Sequence, residues 1–599
     1  MKKTNIGPAP GHKRETCPGL PGDFELKDYI NTPMTNWFLP GVLLAAGIRD
    51  LLSRVFAAYA DQRATIAALS AAESFDKLKD RDQVWVDYVA DVGDGWHSTY
   101  SVAWCLAQLK HAVKVDGTTR DLPRGNVLVM GGDQVYPYAS AESYNRRLVR
   151  PYQAALPCAP EDDHPLLFAI PGNHDWTDSL RGFQRRFCQG HWLGGWKTKQ
   201  TRPYWSIQLP HGWWLWGVDS QMDDYIDQAQ VAFFRKTAEQ VQPGDRIILC
   251  VAAPSWIFAA SGDSELHRNL AFIENDIICG RKAHLVVTLS GDLHHFAHYR
   301  ASDDEIERHK ITCGGGGAFT HGTHHLPDPI NLVERGKPRN YRLEQEQLPD
   351  CRSSKQLLWK NLFFPFRHLM FAGILGGFYL AYALVLANAG LPQQLAAVPL
   401  DAGNILQVGW LYTRTTFAHV WPLLFFGLLL GSGYLFAQPD WHSNPQIKPT
   451  RKFFGGLVHA LMHLAVLVPF LWGLSRCNEI TLPPFAPDWV SAMKFSIAVS
   501  VTGTMVGGVV FGIYLSLSNL LAGFHRTEAF SAARDSGHKS FLRMQIHKQG
   551  LTIYPLGLNR PERNWEINSD TGENKSWINP AGETTLMPEL IGEPIEIKI

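Results

Sequence analysis

The chain reads as an α/β protein followed by a membrane-embedded helical region, and three observations carry that reading. Four short apolar runs each end in a turn rich in metal-ligating side chains, four long charge-free runs occupy the second half, and a closing segment alternates apolar and polar residues. Continuous apolar runs bounded by glycine read as strands buried on both faces, whereas a charge-free run of about 20 residues is long enough to cross the roughly 30 Å hydrocarbon core of a bilayer.

Composition narrows the function classes. With 599 residues, 45% of them hydrophobic, and 56 basic against 56 acidic side chains, the chain is too long for one ordinary domain and has no bias toward a polyanion. Nucleic acid is therefore not an expected partner. Nine cysteines lack regular spacing, and Cys105, Cys250 and Cys313 stand in apolar or glycine-rich surroundings. They read as buried thiols of a reducing compartment, without a zinc pattern or a disulfide framework.

The elements follow in order. Residues 1–21 are polar and proline-rich, without the apolar core of a secretory signal. Residues 37–59 gather Phe38, Leu39, Val42, Leu43, Ile48, Leu51, Leu52, Val55 and Phe56 on one helical face, and Arg49, Asp50 and Arg54 interrupt it. Those charges argue against a span. The helix either lies on a membrane surface or, the preferred reading, packs on the domain that follows.

Next come the strands. Residues 84–90 lead into Asp91-Val92-Gly93-Asp94, and 127–130 lead into Gly131-Gly132-Asp133-Gln134-Val135-Tyr136. Residues 166–170 lead through Pro171 into Gly172-Asn173-His174-Asp175, and 285–290 into Gly291-Asp292-Leu293-His294. In layered sheets ligand groups collect just beyond strand ends, so the four clusters point at one site. Carboxylates, an amide oxygen and imidazoles in one place suit a site where metal and phosphate meet.

These motifs, in this order over roughly residues 80–325, resemble the calcineurin-like metallophosphoesterases. The resemblance implies a four-layer α-β-β-α metallophosphoesterase sandwich with two metal ions. It implies that Asp133 bridges both metals, that Asp91 and His294 complete the first site, and that Asn173 ligates the second. His174 would stand beside the phosphate as electrostatic stabiliser or proton donor, with Asp175 orienting its ring. A metal-bound hydroxide would then attack phosphorus in line.

The chain departs from the family pattern at three places. Gly93 stands where the first motif has a histidine; Tyr136, three residues after Asp133, has the spacing at which purple acid phosphatases place a metal-binding tyrosine. A phenolate favours ferric iron, so the resemblance implies Mn, Zn or Fe, with Fe at the first site if Tyr136 ligates; its alternative is packing in a turn beside Pro137. Asp292 replaces the first histidine of the fifth motif, and the run 247–251 ends in Ala252-Ala253-Pro254 with no histidine at all. His295, His298, His321 and His324 are the candidates for that vacancy. The run Gly314 to Gly317 would let backbone amides cradle a phosphate. Trp192, Trp196, Trp205, Trp213, Trp214 and Trp216 suggest aromatic walls, several of them core.

The second half is apolar. Charge-free runs at 369–388, 416–437, 454–474 and 495–524 predict four transmembrane helices. Lys and Arg crowd the outer ends and the central loop, including Arg352, Lys355, Lys360, Arg367, Lys448, Arg451, Lys452, Arg526 and Arg534; the two opposite loops hold only Arg414, Arg476 and Lys494. The positive-inside rule then puts both termini and the catalytic domain in the cytoplasm. His459 and His463 lie four apart on one helical face, with His419 near the start of the second span, and interhelical hydrogen bonding is preferred over a metal, haem or proton relay. Gly503, Gly507, Gly508 and Gly512 predict close helix packing. Beyond residue 524 the alternation around Gln549-Gly550 predicts a β-hairpin.

The organisation expected is thus an N-terminal segment (1–80), a metallophosphoesterase domain (81–350), four membrane helices (366–524) and a soluble tail with β-structure (525–599). That layout resembles a group of bacterial membrane-attached metallophosphoesterases, which implies the bacterial inner membrane. The expected function is hydrolysis of a phosphomonoester, a phosphodiester or a lipid-linked phosphate, with the bilayer as second partner. The alternative is a degenerate phosphoesterase that senses a nucleotide or phosphate and signals through the helices. Nothing in the sequence fixes an oligomeric state.

Overall fold

The structure is a computed structural model and describes residues 20, 25–60, 63, 67, 73–220, 226–262, 265–302, 306–334, 336–437, 449–476, 489–582 and 586–598. Most of the polar N-terminal stretch and the central basic loop with Lys448 lie outside the described residues. The chain divides into two compact units: Met1–Thr35, Leu44–Ser354 and Arg534–Ile599 form one, Asn36–Leu43 and Lys355–Ala533 the other.

The first unit holds two large sheets. Its early strands are β1 (Val84–Val89), β2 (Lys110–Val115), β3 (Thr118–Pro123), β4 (Val127–Met130), β5 (Leu166–Ala169), β6 (Trp192–Leu193) and β7 (Trp196–Thr198). β8 (Trp205–Gln208), β9 (Trp213–Gly217), β10 (Arg246–Val251), β11 (His284–Ser290), β12 (Phe296–Ala301), β13 (Arg308–Cys313), β14 (Ile330–Glu334) and β15 (Lys337–Leu343) come next. The tail adds β16 (Lys539–His547), β17 (Gly550–Leu558), β18 (Trp565–Ile567), β19 (Ile578–Pro580), β20 (Glu589–Leu590) and β21 (Ile595–Lys598).

One sheet runs β20-β17-β16-β1-β4-β5-β7-β6, with β21 beside β17; the other runs β14-β15-β12-β13-β11-β10-β9-β8. β1, β4 and β5 are parallel, as are β9, β10, β11 and β13, so their C-terminal ends lie together within each sheet. One apolar cluster draws on both sheets, through Val86, Tyr88, Val129 and Ile170 from the first and Trp213, Ile248, Cys250 and Leu289 from the second. A second cluster joins the other face of the first sheet to the helices Trp96–Ala107, Arg150–Ala155 and Arg181–Phe187, and a third joins the second sheet to Gln228–Ala238, Ser255–Ala260 and Glu265–Phe272. The pleat of β9 explains its tryptophans. Trp213 points into the cluster between sheets and Trp214 and Trp216 into the opposite one, all fully buried, so these rings are core and not walls of a site.

The tail is not a separate layer. The hairpin β16–β17 forms as the alternation predicts, but β16 then pairs antiparallel with β1, which places the last strands in the same sheet as residues 84–169. One polar pair explains the choice. Asp87 stands in the middle of a fully buried strand, and Arg543, its register partner, gives it two bonds, Nε to Oδ1 at 2.7 Å and Nη2 to Oδ2 at 3.0 Å. Either residue alone would be an uncompensated buried charge costing about 3–5 kcal/mol, so the pair fixes partner and register together. The expected boundary near residue 350 therefore divides one sheet between two segments of chain. Cys105, Cys188, Cys250, Cys279, Cys313 and Cys351 are free, whereas Cys158 is disulfide-bonded, a departure from the expectation of thiols throughout.

In the second unit three helices are long and apolar enough to cross a membrane: Leu369–Asn388, Thr450–Arg476 and Ala492–Ala522. The remaining expected span is instead a bent pair, Ala402–Ala418 and Val420–Phe436, meeting at 105°. His419 causes the break by taking an extended conformation, and Pro422 in the first turn beyond it has no amide to continue the earlier helix. The 17 residues of Val420–Phe436 cover only about 25 Å. Gly376 and Gly503 bring the first and last long helices together, since a Cβ on Gly503 would meet Tyr379 Cβ at 2.6 Å and Gly376 Cα at 2.9 Å. Close packing through small residues thus forms where the glycine spacing put it. His463 Nδ1 hydrogen-bonds with the Tyr379 hydroxyl at 2.9 Å, an interhelical polar contact of the preferred kind, and its Nε2 meets His459 Nε2 at 3.2 Å one turn away on the same helix. The helix Pro40–Ala60 does form; Leu43, Ile48, Leu51 and Leu52 of its apolar face are exposed, while Arg49 lies over the Tyr138 ring at 4.1 Å.

Candidate metal centre

Asp91, Asp133 and Asp292 each follow the C-terminal end of a parallel strand and each sit in the left-handed region, with φ of 57°, 50° and 67°. Aspartate tolerates that conformation better than most residues, and strain of about 1–3 kcal/mol at each position is characteristic of functional turns. The turn aims each carboxylate across the strand ends, and backbone amides hold the aim. Asp292 N–H donates to Asp91 Oδ2 at 2.9 Å and to Oδ1 at 3.1 Å, and His174 N–H donates to Asp133 Oδ1 at 3.0 Å.

The centre of the arrangement is the phenol of Tyr136. Its oxygen lies 3.0 Å from Asp91 Oδ1, 3.1 Å from Asp133 Oδ2 and 3.0 Å from His294 Nε2, with all four side chains buried. His294 Nδ1 meets the Phe319 carbonyl at 2.8 Å. A proton on Nδ1 satisfies that carbonyl, which turns the Nε2 lone pair toward the same point, the tautomer of a metal-ligating histidine. Gly93 explains why a tyrosine stands here. A Cβ at Gly93 would lie 2.0 Å from the Gln134 carbonyl, and its own carbonyl accepts from Tyr136 N–H at 3.0 Å. With φ of +53° and backbone that close, position 93 has no room for a histidine, and the loop it admits delivers Tyr136 in its place.

The electrostatics point the same way. Burial and the neighbouring carboxylates push Asp91 well above the usual carboxylate range, and burial with Asp292 nearby pushes Asp133 up to about 7. Burial, then the adjacent His321 and Lys539, hold His294 well below the ordinary imidazole value. Lys539 is fully buried close by, and its amine donates to the Ala318 carbonyl while acting on Asp91 only from further off. Two buried carboxylates, a neutral imidazole with its lone pair inward and a phenol oxygen form a donor set that fits one hard or borderline cation. Among the described residues no group of three or more His, Cys, Asp or Glu side chains is arranged to hold a metal ion.

The residues expected at a second metal are arranged differently. Asn173 is exposed and Asp292 half-buried, at the edge of the buried cluster. Gly172, next to Asn173, packs directly on the bridging candidate, because a Cβ there would meet Asp133 Oδ1 at 2.1 Å. His174 is half-buried, with Nδ1 at 2.8 Å from the Pro137 carbonyl. Asp175 does something other than the expected orienting of that ring. Its Oδ1 accepts from the Tyr144 hydroxyl at 2.5 Å, and its Oδ2 from Gly172 N–H at 2.9 Å and Gln134 N–H at 3.2 Å. Asp175 thus ties together the two loops that carry Asp133 and Asn173.

Of the four histidines set against the missing fourth-motif ligand, only His321 touches the cluster by a ring contact, stacking on His294 with centroids 4.3 Å apart. His298 pairs with His309 at 3.0 Å, and His324 meets Ser354 Oγ at 2.6 Å. The glycine run also serves packing. Gly314 N–H donates to the His295 carbonyl, Gly316 N–H to Ala90 and Ala318 N–H to Asp91, so two amides of the run, Gly314 and Gly316, are engaged within the protein and are not turned to the expected phosphate cradle. A Cβ on Gly314 would lie 2.3 Å from Asp91 Oδ2, and one on Gly315 2.4 Å from Ser540 N. Lys539 and Ser540, which open β16, therefore line the far side of the cluster. Reasoning along the sequence missed them, although Asp87 inside an apolar strand and Arg543 inside an alternating one were a signal that the tail returns.

No family model and no curated protein matches the chain. Among solved structures it is similar to GAP50, the anchor in the inner membrane complex of Plasmodium, with a TM-score of 0.31 and 14% identity over 42% of this chain and 82% of that one. It is also similar to a structure of PhoD, with a TM-score of 0.27 and 12% identity over 42% of this chain and 59% of that one. Both scores are too low to argue from.

Proposed function

We propose that this chain is a membrane-anchored phosphoester hydrolase whose two sheets form the four-layer sandwich and whose strand-end cluster holds two metal ions. The convergence of Asp91, Asp133 and His294 on the Tyr136 oxygen within 3.0–3.1 Å carries this reading. Asp91, Asp133, Tyr136 and His294 would hold the first ion, and Asp133, Asn173 and Asp292 the second. Bound cations supply Lewis acidity toward the phosphoryl group and lower the pKa of an attacking water. The Asp292 and His174 amides keep the carboxylates aimed before substrate arrives. His174, its Nδ1 fixed on the Pro137 carbonyl, would present Nε2 to the leaving oxygen and deliver its proton when charged.

The bent helix pair counts in this reading as one broken span, which gives four crossings with both termini in the cytoplasm of a bacterial cell. Confinement to a bilayer favours a lipid-linked phosphate, since enzyme and substrate then share a plane. A second reading, a phosphate- or nucleotide-sensing protein, draws on the exposed Asn173 and on the absence of a histidine in Ala252-Ala253-Pro254. A panel of phosphomonoesters, phosphodiesters and lipid phosphates, offered to detergent-solubilised protein with its metals measured in the same sample, separates the two. The hydrolase reading expects about two metals per chain and turnover of at least one ester class; a metal-free, inert protein ends it. A reporter fused after the last residue should behave as cytoplasmic, and a periplasmic signal reverses the topology.

A further inference from the structure

A cavity of ≈ 410 Å³ lies at the opposite end of the same parallel strands, lined by Trp85 at the start of β1, Asn126 just before β4 and Leu166 at the start of β5. Its volume is in the range of small-molecule sites. Four cations line it, Lys77, Arg81, Arg124 and Lys199, against two carboxylates, Asp162 and Asp163. Among the described residues none of the four forms an ion pair within 4 Å, and the Arg124 guanidinium donates its hydrogen bonds to the Ala107 carbonyl at 2.9 Å and Asn574 Oδ1 at 2.7 Å, with Asp87 and Asp163 acting on it from further off. Cations thus outnumber carboxylates in the lining, although Asp87 and Asp163 act electrostatically on Arg124. Desolvation and the neighbouring Lys77 ammonium lower the pKa of Lys199, as expected where like charges are held side by side.

A second observation is independent of charge. Trp85 is 7% exposed and its indole Nε1 has no hydrogen-bond partner. A buried donor left unsatisfied costs about 1–3 kcal/mol, and a ligand acceptor in the cavity would remove that cost. His164 adds an acceptor or donor of its own: Nδ1 meets the Glu161 carbonyl at 2.7 Å, and the buried Nε2 has no partner.

We propose that this cavity binds a phosphate-bearing small molecule, its charge met by Lys77, Arg81, Arg124 and Lys199 and one of its oxygens by Trp85 Nε1. The ligand would lie at the N-terminal ends of β1, β4 and β5, whose C-terminal ends lead to Asp91, Asp133 and Asn173. The inference does not depend on the hydrolase reading.

The test is calorimetric titration of the full chain in detergent and chelator, with inorganic phosphate and separately with glycerol 3-phosphate as a lipid-headgroup probe. At least one probe should bind saturably, and Lys77→Ala/Lys199→Ala, at two exposed positions, should weaken it by roughly tenfold or more. Lys77→Arg/Lys199→Arg should retain it, and Asp133→Asn should leave it unchanged. Tighter binding of glycerol 3-phosphate would assign the site to a headgroup, and of phosphate to the free anion. Absence of saturable binding by either probe, or binding that survives Lys77→Ala/Lys199→Ala, or binding lost in Asp133→Asn, overturns the proposal.

Discussion

Two clusters of buried carboxylates in the first unit differ in what surrounds them. On β13, β14 and β15, Glu334 receives Lys310 Nζ at 2.9 Å, Arg339 Nε at 3.1 Å, Arg308 Nη1 at 3.2 Å and the Tyr341 hydroxyl at 2.9 Å, while Arg308 also pairs with Glu274. At the ends of β1 and β4, Asp91 and Asp133 receive a phenol and backbone amides and, among the described residues, no hydrogen bond from a side-chain cation. The first cluster is a closed ion network that needs nothing added. The second has the same number of buried acids and, among the described residues, no side-chain cation paired with them, and this is the gap that the proposed cation would fill. Their pKa values diverge accordingly: the surrounding cations outweigh burial and hold Glu334 down to about 2, whereas burial and Asp292 push Asp133 up to about 7.

The largest expected effect, and the one whose absence would break the comparison, is loss of activity in Asp133→Asn. Removing the central carboxylate should lower phosphoester hydrolysis by about 10³-fold, the rate equivalent of several kcal/mol of transition-state charge stabilisation, and should lower metal content in the same preparation. Normal metal content with normal turnover would reduce this cluster to packing. Glu334→Gln is the counterpart. It leaves Lys310, Arg308 and Arg339 short of a buried anion and should cost about 3–5 kcal/mol in stability, read as a lower thermal midpoint, with metal content unchanged.

Tyr136→Phe sharpens the claim about the phenol. The ring still fills its place, but the one oxygen shared by Asp91, Asp133 and His294 is gone, and metal affinity should fall by roughly 10–100-fold in a chelator competition. An unchanged affinity would return Tyr136 to a purely structural place in its turn.

How much of this was legible before folding depends on the range of the interaction. The strand-end motifs were visible because each lies within a few residues, as an apolar run meeting glycine and aspartate. Local reading also found the hairpin at Gln549-Gly550 and three of the long helices. It failed where partners are distant: nothing near Asp175 says that Tyr144 claims its carboxylate, and nothing near Gly314 says that Ala90 and Asp91 claim the amides around it. The placement of β16 beside β1 was hidden for the same reason, with Asp87 and Arg543 separated by the whole membrane region. The break at His419 was missed because composition measures apolarity and not the direction of the chain.

The smallest expected effect is also the most direct comparison, because the two clusters should respond to pH with opposite signs. Glu334 has its pKa lowered from 4.5 to about 2 in the fold, so its stabilisation is present above pH 4.5 and is lost as pH falls through about 2. Asp133 has its pKa raised from 3.8 to about 7, so in chelated protein its contribution is present below pH 3.8 and is lost as pH rises through about 7. A thermal midpoint measured in chelator should therefore decline at both ends. Adding a divalent cation should restore the neutral end only, since the ion stabilises the deprotonated carboxylates of one cluster and the other already has its cations. Glu334→Gln should flatten the acid end only. A cation that changes neither limb would mean that the acids at the ends of β1 and β4 are balanced by protons alone, and the difference between the two clusters would then be one of burial rather than of function.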